Sequence, residues 1–217
     1  MPLRAAACRR LPMNPLSEGD MRNTTMWMLP IVSLALILVA PLASGLVAEQ
    51  RDRLLKTKAC EGCDLSGLTL SHAVLNGARL AGANLRGASL QYAALKMADF
   101  TGADLTDADL SNAFIRPGTF RRANLSGAKL VGARLPNADL TEANLTEADL
   151  RGAILYGADF RGADLSRARL VGALLSSEGQ GIGDVIVAAR FEGARLDGAT
   201  WVDGNVCKAG SVGQCLR

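Results

Sequence analysis

A five-residue period runs through this chain without slipping for more than a hundred residues. Every fifth position from Leu65 to Leu175 holds one of nineteen Leu, three Phe (Phe100, Phe120, Phe160) or one Ile (Ile115). Two positions earlier, Ala fills twenty of the twenty-one sites from Ala73 to Ala173, with Gly118 the exception. Five suits neither regular element. In an α-helix five residues turn through about 500°, so successive Leu side chains fall about 140° apart and no apolar face forms. In a flat strand the same step sends successive Leu to opposite faces.

A mixed arrangement satisfies the pattern. Ala and the Leu two residues on share one face of a short extended segment. The next Ala comes three residues later, so the alternation breaks once per unit, and a break in phase is a corner. Gly often stands two after the Leu, as at Gly67, Gly102 and Gly152, where turn dihedrals cost it least. Each pentapeptide is then one side of a coil, with two residues inward and three outward. The low aromatic content of 4% leaves Leu and Ala to build the core.

The units "ANLRGASL", "ADLTDADL", "ANLTEADL" and "ADFRGADL" resemble the A(D/N)LXX units of pentapeptide-repeat proteins over about residues 64–203. The resemblance implies an all-β fold, a right-handed quadrilateral parallel β-helix with four units per coil. Twenty-three units make just under six coils, or about 28 Å at the usual ~4.8 Å strand spacing. Positions twenty apart should stack, and Phe100, Phe120 and Phe160 do fall in one such column. The phase fails once: after Leu175 a stretch at 176–190 intervenes, and Phe191, Leu196 and Trp201 resume one residue out of frame. An inserted loop is expected there, and such a loop is a place for binding.

Solenoid ends need covers. "EQRDRLLKTKAC" (49–60) predicts a short helix laying Leu54 and Leu55 over the first coil, within an N-terminal cap at 49–63. Residues 204–217 form the C-terminal cap. Cys8 apart, the cysteines sit at the two ends of the body: Cys60 and Cys63, then Cys207 and Cys215. All four are disulfide candidates, and the two ends look like the caps of exported members of the family. A redox or zinc role is the alternative for Cys60 and Cys63, although zinc would need two further ligands and the other Cys pair belongs to the far end. Residues 1–48 read as a targeting segment: Arg4, Arg9, Arg10 and Arg22 precede an apolar stretch at 29–48, and Ala43-Ser44-Gly45 offers small residues for a signal peptidase. The alternative is an uncleaved membrane anchor through 29–48. Either places the body outside the cytoplasm, in the periplasm or beyond the cell.

Charge narrows the function. Of 24 basic and 21 acidic residues, eight and five lie in residues 1–63, so the body carries sixteen of each and is neutral. Some family members resemble B-DNA and bind type II topoisomerases. DNA of this length would carry roughly sixteen negative charges, so mimicry is the alternative function rather than the first. Nucleic acid is not an expected partner either. His72, the only histidine, lacks a neighbouring nucleophile, and the Asp residues before each core Leu point outward from no cleft. No catalytic residue, cofactor or metal is expected.

The outward columns differ. Val74, Ala94, Phe114, Arg134, Ile154 and Leu174 make one column largely apolar, and Met97, Pro136 and Tyr156 extend it. The column from Asp64 through Asn84 and Asp104 to Asp164 is polar throughout. Val74, Phe114, Ile154, Leu174 and Tyr156 are therefore the candidate partner-binding face, and Arg116, Arg121 and Arg122 add a small basic patch. The expected function is a non-catalytic exported scaffold or protein-binding module that presents a flat wall to a protein partner or a second copy. Membrane contact is expected only through the N-terminal segment, if it is not cleaved.

Overall fold

The corner chemistry predicted from the five-residue period recurs on every side of the coil. Ala88 N–H donates to Leu85 C=O at 3.0 Å, closing a four-residue turn whose third residue, Gly87, takes φ of 61°. That left-handed value is what a type II turn demands, and glycine meets it without strain. Between corners the backbone bonds to the coils on both sides. Leu85 N–H donates to Asp104 C=O at 2.7 Å, and Asn84 N–H donates to Cys63 C=O at 2.8 Å. From Ala59↔Arg79 to Ile154↔Leu174, every parallel bridge joins residues twenty apart. Four five-residue sides thus complete each coil.

The computed structural model describes residues 47–177 and 188–217. All but the last two residues of the targeting segment, and the inner part of the predicted insertion, lie outside these residues.

Inside the coils the Leu and Ala rows are buried from Leu65 to Ala199, except that Ala73, Leu175, Ala189 and Phe191 are partly buried, and each buried Leu contributes about 1.5–3 kcal/mol before chain entropy is counted. The aromatic column stacks as its spacing required: Phe100 on Phe120 at 4.8 Å, and Phe160 on Phe191 at 4.9 Å. Phe191 belongs to the shifted frame. Asp159↔Arg190, Asp164↔Arg195 and Arg169↔Thr200 are each thirty-one residues apart, eleven more than one coil. Eleven is two units plus one residue, which explains the displaced frame. An antiparallel bridge, Ser176↔Ala188, closes the base of the insertion.

Outside the core, the Asp and Asn residues that precede many of the core Leu serve the backbone. Asp99 Oδ1 accepts from Thr101 N–H at 2.9 Å, and Asn144 Oδ1 accepts from Thr146 N–H at 3.0 Å. These Asx turns account for the choice of Asp or Asn at that position. Asn side chains also bridge coils, Asn84 Nδ2 donating to Asp64 Oδ1 at 2.9 Å.

Both ends are covered. Helix α1 (47–57) buries Leu54 but leaves Leu55 40% exposed, so one leucine, not two, caps the first coil. Gln50 Oε1 accepts from Asp64 N–H at 2.6 Å and ties the helix to that coil. A disulfide joins Cys60 and Cys63, both of them buried. At the other end the chain turns back and pairs antiparallel with the last coil through Thr200↔Val206 and Arg195↔Val212. A second disulfide, Cys207–Cys215, locks this turn, which occupies the sheet edge on those two sides of the last coil. No helix among the described residues is long and apolar enough to cross a membrane.

Truncating a mid-solenoid leucine, Leu125→Ala, should lower the unfolding free energy by about 2–5 kcal/mol, measured by urea denaturation; an unchanged midpoint would contradict the buried row. A pH test isolates one surface charge. A hydrogen bond from the Arg161 guanidinium holds the Asp159 carboxyl below its ordinary 3.8. Because the folded state binds this proton less readily, the charge adds stability above about pH 4 that is lost as pH falls through the depressed value. Asp159→Asn keeps the acceptor oxygen of the corner. It should be less stable than the natural chain at pH 7, with the gap closing in acid.

Candidate interaction face

Position on the coil decides what an outward side chain can meet. The middle of one side carries the column Val74, Ala94, Phe114, Arg134, Ile154, Leu174, bridged in that order. The corners that flank this side contribute residues one and two places after each core residue. The whole side therefore consists of 71–77, 91–97, 111–117, 131–137, 151–157 and 171–177. No Asp or Glu occurs in any of these six segments. The other three sides carry Asp99, Asp139 and Asp159; Asp64, Asp104 and Asp164; and Asp109 and Asp149.

The same side is the apolar one. Of the ten large apolar side chains exposed among the described residues, six lie on it: Val74, Tyr92, Met97, Phe114, Val171 and Leu174. Met97 is 65% exposed, Val74 61% and Phe114 47%. Two of them also hold the backbone at a cost, since Tyr92 and Met97 take φ of 57° and 59°, where a bulky side chain is disfavoured by about 1–2 kcal/mol. Tyr92 stacks on His72 at 5.1 Å.

Midway along this side the regular corner fails at "IRPG" (115–118). Pro117 has no N–H for the next coil, and Met97 N–H, which by the repeat should reach Arg116 C=O, donates instead to Pro117 C=O at 2.6 Å. Ile115 and Gly118 change together. A Cβ on Gly118 would collide with Ile115 Cγ2, so the branched methyl of Ile115 occupies the room that alanine takes in every other unit. At this displaced corner lies a hollow of about 300 Å³ lined by Phe114, Ile115, Arg116, Arg134, Pro136, Ile154 and Tyr156. A shallower one beside it shares Phe114 and Arg116 and reaches Lys96 and Pro117. The Arg134 guanidinium lies over the Phe114 ring, 5.3 Å from its centre, a cation–π contact. Arg151 pairs with Asp149 at 2.6 Å. Among the described residues, Lys96, Arg116 and Arg134 make no ion pair.

A model of pentapeptide repeats matches the chain in eight copies, over residues 63–102, 83–116, 120–155 and 143–177. The chain is a pentapeptide-repeat protein. Solved members of the family are similar to it. HetL of Nostoc sp. strain PCC 7120 is 30% identical over 68% of this chain and 72% of its own, with a TM-score of 0.35. Rfr23 of Cyanothece 51142 is 25% identical over 71% and 98%, with a TM-score of 0.40. A thylakoid-lumen protein of Arabidopsis thaliana is 31% identical over 53% and 70%, with a TM-score of 0.25. No functionally curated protein matches this pentapeptide-repeat protein in sequence.

In this pentapeptide-repeat protein, Phe114, Ile154 and Tyr156 come together at the hollow. Val74 and Leu174 stand toward the two ends of the same column. The four cysteines are held apart as two terminal disulfides. His72 stands exposed on a corner, and among the described residues no cluster of His, Cys, Asp or Glu is arranged to hold a metal. The sequence pattern left out Tyr92 and Val171, which sit on the flanking corner, and Lys96 and Pro117 on the other. Their signal is the acid-free run of six segments, readable only once the corners are assigned to a side.

Gly118→Ala should cost about 1–3 kcal/mol by overpacking, and adding Ile115→Leu should return most of it, both read from thermal melts. Equal loss in the single and double variants would refute the paired exchange.

Proposed function

We propose that this protein is a non-catalytic, exported binding scaffold, and that the apolar, acid-free side of its solenoid is the wall presented to a protein partner. The observation that carries the reading is the concentration of exposed apolar side chains on one side of four, together with the removal of every carboxylate from that side. Contiguous apolar surface of this kind is retained where another molecule covers it. The wall is stiff, because its coils between the two ends are hydrogen-bonded to the coils on both sides, so little order has to be gained on binding. Regular right-handed winding, as in the family, would keep the wall nearly flat.

Two disulfides support an oxidising compartment, as does the signal-like sequence of residues 1–48, whether it is removed or stays as an anchor through 29–48. DNA mimicry fits less well. Acidic side chains are met by arginines along the solenoid: Asp149 by Arg151, Asp159 by Arg161, Glu147 by Arg167 and Asp164 by Arg195. A surface neutralised in this way lacks the continuous negative field that mimicry needs.

Phe114→Asp combined with Ile154→Asp should leave the melting temperature within a few degrees, since both side chains face outward. It should abolish recovery of a cross-linked partner from the cell envelope. If the double variant recovers the same partners as the natural chain, the wall is not the binding surface.

A further inference from the structure

The hollow at the displaced corner combines two properties that seldom occur together on a solenoid. Its lining is apolar at Phe114, Ile115, Pro136, Ile154 and Tyr156. It is cationic at Arg116 and Arg134. Neither arginine has an acidic neighbour, and the nearest sequence segments on the same side supply none. Elsewhere on the solenoid arginines are met within the chain, as in Arg122 with Glu142 at 2.6 Å and Arg167 with Glu147 at 2.7 Å. The missing countercharge is therefore a local property of this side, not of the protein's arginines in general.

We infer that the hollow receives an aromatic or large aliphatic side chain of a partner protein, flanked in the partner's sequence by Asp or Glu residues that pair with Arg116 and Arg134. The inference rests on the binding-wall reading above and names the chemistry of its partner. Size supports it, since about 300 Å³ is at the small end of ligand sites and suits a single bulky side chain. Charge supports it as well. Arg134 already lies over Phe114, so a carboxylate meets a guanidinium that is held in place. A second copy packed with the same side inward would bring Lys96, Arg116 and Arg134 against their own counterparts, which like-charge repulsion opposes. An anionic membrane would satisfy the charges but leave the concavity unfilled, because lipid contact favours protruding apolar groups.

The test uses four probes on the purified full chain, followed by backbone amide NMR and by calorimetry. They are a peptide Glu-Glu-Phe-Glu-Glu with blocked ends, its Lys-Lys-Phe-Lys-Lys and Glu-Glu-Ala-Glu-Glu counterparts, and phosphatidylglycerol vesicles. The acidic Phe peptide should bind saturably and shift the amides of Phe114, Arg134 and Ile154. Its affinity should fall as salt is raised. The Lys and Ala counterparts should bind at least about tenfold more weakly, a difference of about 1.4 kcal/mol. Arg116→Glu with Arg134→Glu should abolish binding, and Arg116→Gln with Arg134→Gln should weaken it without altering the melt. Equal binding of the Lys peptide, binding that survives both arginine pairs, or capture by vesicles in place of the peptide would each overturn the inference. The envelope partner separates this failure from that of the wall itself. If Phe114→Asp with Ile154→Asp loses that partner while both arginine variants keep it, the wall stands and the acidic anchor does not.

Discussion

Every side of this molecule depends on one packing event, repeated: a large side chain and a small one, two residues apart, turned inward over the same pair in the next coil. Leucine supplies the bulk and alanine the room for the backbone to turn. The coil-to-coil hydrogen bonds then follow, because a backbone held at that spacing finds its partner twenty residues away. Nothing in the arrangement depends on the three outward residues beyond a corner that can adopt left-handed φ at its second position. The aromatic column obeys the same rule, with Phe stacked on Phe rather than Leu on Leu.

That freedom leaves three of every five residues open to other demands, and the four sides have met them differently. Three sides use Asp and Asn to hold their own corners through Asx turns and then neutralise the charge with arginine across or along the coil. The fourth gives up those turns. Its column residues are Val, Ala, Phe, Arg, Ile and Leu, none of which caps a corner, and it accepts strained φ at Tyr92 and Met97. Left-handed φ at a bulky residue also occurs on other corners, as at Arg122, Glu142 and Arg167, so what sets the fourth side apart is the exchange of corner-capping carboxylates for apolar surface, the pattern expected where a protein meets something else.

Much of the fold was legible from the period. The inward rows, the corners, the twenty-residue register and the aromatic stack all follow from counting in fives, because each is a consequence of backbone geometry. The frame shift after Leu175 was also legible as an arithmetic residue: eleven extra positions displace a count of five by one. The site was legible in part. Phe114, Ile154 and Tyr156 were found as an apolar column, since a column is a period of twenty. The hollow itself was not, because it arises where the period is kept but the chemistry of one corner changes at Pro117 and Gly118. The unmatched state of Arg116 and Arg134 was hidden for a related reason. Whether an arginine has a carboxylate depends on neighbours twenty residues off or around a corner, and the sequence lists them no closer than any others. Leu55 shows the same limit at α1, where adjacent leucines pointed to one face but the helix turns only Leu54 inward.

The exchange of volume between Ile115 and Gly118 has a historical consequence. A solenoid that began with the ordinary leucine and alanine at these positions had two routes to the present pair, and they are not equivalent. Isoleucine arriving first would have driven its branch into an alanine methyl, and the intermediate would have been overpacked at mid-solenoid. Glycine arriving first leaves only a methyl-sized space, which the later isoleucine fills. The displaced corner is therefore reached most easily by loosening before tightening, and reversal is opposed by the same collision: while the branch is in place, alanine returns only at the cost of overpacking.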